Sequence, residues 1–172
     1  DIPLYLTYSR IAIIPLIVLC MFFNTNVLNT IALILYSLAA MTDYFDGKLA
    51  RKWNAISEMG KFLDPIADKL LAVSVIIMLV ANSIIYGLYL VPAIIIVLRE
   101  IFISGMREFV GEKAVKIPVS YLAKIKTASQ LLALGFLIIA DMGDVFYVIG
   151  FATLFLAAIL SIKTGYEYVK AV

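Results

Sequence analysis

Six apolar stretches, each long enough to cross a bilayer as a helix, follow one another along this chain. They constrain the fold more than any other feature. They run over residues 4–23, 28–51, 62–81, 86–108, 120–140 and 145–163, and about 20 apolar residues suffice for one crossing. Of the 172 residues, 64% are hydrophobic, against roughly 45–50% in soluble domains. A water-soluble fold of this size has nowhere to bury so much apolar surface, so the bilayer is the expected solvent. Inside lipid the backbone must satisfy its own hydrogen bonds. The expected fold is therefore all-α, one domain over residues 1–172 with six transmembrane helices. Asn24-Thr25-Asn26, Asn82-Ser83 and Asp141-Met142-Gly143-Asp144 supply turns after the first, third and fifth stretches. Neither an internal repeat nor a low-complexity tract is evident.

The charges give this path a direction. All 14 Lys and Arg residues fall at one end of it, while the three turns at the other end carry none. The positive-inside rule puts the basic end, and with it both ends of the chain, on the cytoplasmic side of the cell membrane. A cleavable leader is not expected, because the first apolar run starts almost at Asp1 with no basic region before it. Net charge is only +2, so the basic excess is a matter of distribution and suggests no nucleic-acid partner. Lys52, Lys163 and Lys170 suit anchoring to lipid headgroups by snorkelling. Arg99 and Arg107 suit it poorly, since they stand within a spanning stretch. The abundant Tyr and Phe, 10 of each, read as interface and packing residues.

Catalytic chemistry is narrowed by what the chain lacks. There is no histidine, and the one cysteine, Cys20, lies in an apolar run. That removes the commonest general base, the usual imidazole metal ligand and any internal disulfide. Acid–base or metal chemistry must rest on the 12 carboxylates. Four of them stand out in DYFDGKLARKWNAISEMGKFLDPIADKL, residues 43–70. Asp43 and Asp46 are three apart, with Ala50 and Arg51 continuing the face; Asp64 and Asp68 are four apart, with Gly60 one turn earlier. Pro65 is expected in the first turn of its helix, where proline is tolerated. A short connection makes the two helices antiparallel neighbours, so the acid pairs can face each other. Gly47 and Gly60 remove side chains beside the acids and permit close approach.

Four acids at a membrane margin are costly without balancing charge. Oxygen-only ligands suit magnesium or manganese, which commonly complete their shells with substrate phosphates. Two such ions could clamp a diphosphate during phosphoryl transfer. Two other readings stay open at this point. One is a set of structural ion pairs to Lys48, Arg51, Lys61 and Lys69. The other is an ion-coupled transporter, although transporters usually show repeats and interrupted helices near the midplane.

The stretch also resembles a known signature. Asp43, Asp46, Gly47, Ala50, Arg51, Gly60, Asp64 and Asp68 match every fixed position of D-x2-D-G-x2-A-R-x8-G-x3-D-x3-D, the mark of the CDP-alcohol phosphotransferase family. Six helices with cytoplasmic termini look like that family too. The resemblance implies transfer of a substituted phosphate from a CDP-linked donor to an alcohol, with release of CMP. It implies that Asp43, Asp46, Asp64 and Asp68 hold divalent metal, Mg2+ or Mn2+ and two ions, with Asp68 also the base for the attacking hydroxyl. Gly47, Ala50, Arg51 and Gly60 would lie against the CDP moiety. It further implies a homodimer among membrane lipids.

Within the family, the likeness is greatest to bacterial members that join CDP-diacylglycerol to glycerol 3-phosphate. REIFISGMRE at residues 99–108 resembles their arginine-rich fourth helix and KIKT at 124–127 the start of their fifth. The opening DIPLYLTYSR is similar to their NIPNxLTxxR, keeping Thr7 and Arg10 but with Asp1 and Leu4 in place of the asparagines. Arg99, Arg107, Lys124 and Lys126 would then hold the acceptor's phosphate, arginine giving bidentate contacts. Glu100 and Glu108 are expected to steady the guanidinium groups. An inositol phosphate or another phosphorylated alcohol is the alternative acceptor.

Overall fold

The computed structural model describes residues 2–53, 58–110 and 121–171, with the side chains of 7–42, 63, 65–107, 109 and 121–170. Six α-helices make up most of it: α1 Ile2–Phe23, α2 Asn26–Trp53, α3 Glu58–Ala81, α4 Leu90–Val110, α5 Tyr121–Ile138 and α6 Asp144–Ala171. Short 3-10 turns at Gly87–Tyr89 and Ala140–Met142 precede α4 and α6. No strand occurs among the described residues. Each apolar stretch corresponds to one helix, as an apolar chain with no water to satisfy its backbone requires. By length and composition, Gly87–Arg107, Tyr121–Ile138 and Asp144–Lys170 are able to cross a membrane; Thr7–Phe23 and Asn26–Thr42 are shorter apolar stretches.

One boundary differs from the sequence expectation in a way that bears on the site. α3 begins at Glu58, so Pro65 lies about two turns inside the helix instead of in its first turn. Proline there has no N–H to give the carbonyl one turn earlier. Helical backbone therefore begins about one turn before the apolar stretch that carries Asp64 and Asp68.

The turns at the end remote from the lysines and arginines are closed by local chemistry. Asn24 takes up φ 46° after α1, and its side-chain oxygen accepts from Asn29 Nδ2 at 2.9 Å. Thr25 Oγ1 caps α2 by accepting from the Leu28 N–H at 3.3 Å. Ser83, at φ 58°, turns the chain after α3, and the N–H groups of Ile84 and Ile85 return to the Leu79 carbonyl at 2.9 and 3.1 Å. Asn82 Nδ2 donates to the Met21 carbonyl at 2.9 Å, tying the end of α3 to the end of α1.

Between the two ends the helices pack through apolar side chains. α1 lies against both α2 and α3, and α6 against both α4 and α5. Ile17, Val75, Leu79, Leu134, Leu137 and Leu154 are among the fully buried core residues. The approach of α6 to α5 is close enough to need a glycine: a Cβ on Gly150 would stand 2.7 Å from Leu137 Cδ2 and 3.3 Å from its backbone nitrogen. Tyr89 stacks near Phe151 with ring centroids 4.0 Å apart, and Tyr147 meets Phe151 edge-on at 4.5 Å. Large apolar side chains such as Phe22, Leu98, Phe102 and Ile159 remain exposed on the outside, as a lipid-facing surface requires.

Candidate functional site

The acid-bearing segments are continuous helix. α2 runs unbroken through Asp43, Asp46, Gly47, Ala50 and Arg51, and α3 through Gly60, Asp64 and Asp68. Spacings of three and four put each acid pair on one face of its helix. Beyond this backbone placement, Asp43, Asp46, Gly47, Ala50, Arg51, Gly60 and Asp64 lie outside the described side chains.

Asp68 is described, and it does not stand alone. Its Oδ1 accepts from Arg10 Nη1 at 2.9 Å; the Arg10 side chain is 0% exposed and that of Asp68 48%. Arg10 lies three residues after Thr7, also buried. A guanidinium taken out of water needs a counter-charge, because an uncompensated buried cation is strongly destabilising. Asp68 supplies it from α3. The pair ties α1 to α3, and α1 also packs against α2, the other acid-bearing helix. The donor chemistry fits a hard divalent cation: four carboxylates, in two same-face pairs, with oxygen the only ligand type.

A second cluster forms where α4, α5 and α6 meet. Lys126 of α5 is buried, and its Nζ donates to Glu100 Oε1 of α4. Arg99 Nη1 donates to the same oxygen at 3.3 Å. The other guanidinium arm, Nη2, donates to Thr164 Oγ1 of α6 at 3.1 Å. Gly165 brings the α6 backbone beside the arginine: a Cβ there would meet Arg99 Cγ at 3.5 Å. Arg99 Nε and Ser161 Oγ are buried and make no hydrogen bond. Since buried polar groups are normally paired, this cluster has bonding capacity to spare.

Lys69, one residue after Asp68, donates from its Nζ to the Pro65 carbonyl of its own helix at 2.9 Å.

Of the four cations expected around an acceptor phosphate, direct contacts unite two. Arg99 and Lys126 share Glu100. Arg107 is exposed, with its Cζ 5.7 Å from the centre of the Tyr168 ring. Lys124 is exposed on α5. Glu100 steadies Arg99 as expected, while the side chain of Glu108 lies outside the described residues. Sequence reasoning noted Arg10 only as a match to the family's opening and gave no site role to Arg10, Lys69, Thr164 or Gly165. An arginine within an apolar stretch was a usable signal for Arg10. Lys69 was visible only as one of several nearby cations, and nothing local marks Thr164 or Gly165.

Known proteins are similar to this chain over nearly its whole length. Residues 1–162 match the family model described as CDP-alcohol phosphatidyltransferase. A Rickettsia bellii protein named CDP-diacylglycerol--glycerol-3-phosphate 3-phosphatidyltransferase is 44% identical over 99% of this chain and 94% of its own length. The protein of that name from Rickettsia typhi is 42% identical, covering 99% and 96%. That from Haemophilus influenzae is 36% identical, covering 99% and 92%.

Proposed function

Because the chain belongs to the CDP-alcohol phosphatidyltransferase family, we propose that it transfers the phosphatidyl group of CDP-diacylglycerol to sn-glycerol 3-phosphate, giving phosphatidylglycerophosphate and CMP. The relatives named for that reaction are similar over nearly their whole length. The structural observation that carries the acceptor is the partly buried Arg99–Glu100–Lys126 cluster. An uncharged alcohol has no use for so much positive charge, whereas a phosphomonoester does. An ion-coupled transporter, the rival class, has no need of a seat for a phosphorylated alcohol.

In this reaction the acceptor's hydroxyl oxygen attacks the β-phosphorus of the donor. The bond from that phosphorus to the bridging oxygen breaks, and CMP leaves with the electron pair. Asp68 accepts the hydroxyl proton, and Arg10 holds its carboxylate in place. Asp43, Asp46, Asp64 and Asp68 would hold divalent metal, two ions of magnesium or manganese. When bound, such ions neutralise the diphosphate and the charge developing on the departing CMP. Gly47, Ala50, Arg51 and Gly60 line the CDP moiety, and Arg99 and Lys126 orient the acceptor, with Arg107 and Lys124 at its margin. The basic end of a six-span, single-domain chain puts this site on the cytoplasmic side of the cell membrane. The family's habit of pairing extends the proposal to a homodimer.

An acceptor panel tests this directly. Purified protein with CDP-diacylglycerol and magnesium should release CMP with glycerol 3-phosphate far faster than with inositol, serine or inositol phosphate. Preference for an unphosphorylated alcohol would overturn the acceptor assignment and leave the carboxylate chemistry standing.

A further inference from the structure

α6 enters the second cluster through a hydroxyl. Thr164 is buried, and its Oγ1 bonds in two directions. The proton goes to the Leu160 carbonyl, one turn earlier, at 2.8 Å, with the Ser161 carbonyl at 3.4 Å. The oxygen is thereby left to Arg99 as an acceptor, and it takes an N–H of Nη2 at 3.1 Å. On the other arm, Glu100 Oε1 of α4 accepts from Nη1 at 3.3 Å. The guanidinium is planar and rigid, so contacts at both terminal nitrogens, made from two helices, fix the direction of the whole fork. Five N–H groups, with one given to each partner, leave three for a ligand, and the Nε among them is buried without a hydrogen bond. Bidentate contact with a phosphate needs two of these held in a set direction. The same face of α6 meets the second arginine of α4. Tyr168, four residues after Thr164, has its ring centre 5.7 Å from Arg107 Cζ.

We propose that Thr164 is a positioning residue for the acceptor: its hydroxyl holds the Arg99 fork in the orientation that receives the acceptor's phosphate. The proposal rests on the acceptor role assigned to Arg99 above. Thr164 then touches no substrate and acts through the arginine alone. Lysine at position 99 would supply the charge but no planar fork to aim, so the hydroxyl should matter beside arginine and not beside lysine. The acid pairs stand on other helices, α2 and α3, so use of the donor should not respond to Thr164.

Steady-state kinetics of the full chain with CDP-diacylglycerol and magnesium test this. Thr164→Val keeps the shape and removes the oxygen. It should raise KM for sn-glycerol 3-phosphate by about tenfold, the scale of a lost hydrogen bond to a charged group, with KM for CDP-diacylglycerol nearly unchanged. Thr164→Ser restores a hydroxyl and should recover most of the loss. In an Arg99→Lys background Thr164→Val should add no more than about twofold, because effects that run through one partner are not additive. An unchanged acceptor KM in Thr164→Val overturns the proposal. So does a tenfold loss that persists beside Lys at position 99, or a change seen only as lower heat stability. Arg99→Ala separates this proposal from the reading beneath it. If Arg99→Ala raises the acceptor KM and Thr164→Val does not, Arg99 keeps its role and Thr164 loses the one proposed here; if neither does, both fall. If wild type prefers another phosphorylated alcohol, the proposed reaction falls but Thr164 keeps its role, provided Thr164→Val raises KM for that acceptor. Should Thr164→Val fail to fold, Thr164→Ala is measured in its place and judged by the same outcomes.

Discussion

The acid-bearing turns of α2 and α3 and the cation seam of α4, α5 and α6 both bring charge into an apolar bundle, but they are assembled differently. The acids come as two pairs, each made by helix periodicity within a few residues. The seam draws Arg99, Lys126 and Thr164 from three helices and neutralises part of its charge internally through Glu100. Charge placed by local spacing is fit to be spent on a ligand. Charge placed by packing also holds helices together, so removing it costs both binding and structure. Arg10 is the exception that joins the two modes, a fully buried cation on α1 that steadies an acid of the first region.

The largest effect should come from the first region. Asp43→Asn, Asp46→Asn and Asp64→Asn keep side-chain size and remove the charge that the proposed metal site needs. Turnover should collapse by more than the roughly 10- to 100-fold typical of losing an outer-shell partner of a metal, while the protein still inserts and folds. Near-normal turnover in any of the three, with metal bound, would break the comparison by making these acids structural. Asp68→Asn comes next. Its turnover should fall by about 100- to 10,000-fold, the range of a general base, with little change in CDP-diacylglycerol binding. A loss seen only as weaker donor binding would move Asp68 out of the base role.

The seam should give smaller, acceptor-specific losses, and its members should differ. Arg99→Ala and Lys126→Ala should each raise KM for glycerol 3-phosphate by about tenfold or more and leave that for CDP-diacylglycerol nearly unchanged. Arg107→Ala and Lys124→Ala should act in the same direction but more weakly, because exposed charges are screened by water and salt. Equal effects from all four would show that the contacts through Glu100 do not rank them. The smallest effect on activity should come from Gly150→Ala, far from either region. Its Cβ would stand 2.7 Å from Leu137 Cδ2 and 3.3 Å from a backbone atom, so the Leu137 side chain must move and the two helices must ease apart slightly, at a cost of about 1–3 kcal/mol. The protein should inactivate at a lower temperature in detergent with both KM values unchanged.

Much of this molecule was determined by sequence alone. Six apolar stretches required helices, because a backbone in lipid can be satisfied in few other ways. Asn24-Thr25 and Asn82-Ser83 marked turns, because their side chains cap helices and tolerate the left-handed conformation seen at Asn24 and Ser83. The acid pairs were readable because three- and four-residue spacings share a helix face whatever the helix packs against. Contacts between helices carry no such periodicity. Pro65 was assigned to a first turn, since hydropathy marks where a helix enters lipid and not where its backbone begins; α3 starts at Glu58. That Arg10 leans on Asp68, that Lys126 and Arg99 share Glu100, and that α6 contributes Thr164 and Gly165 were decided only by the packing. A buried charge must find its partner in space, and residues 58 or 65 positions apart in the chain meet only when the helices between them have chosen their neighbours.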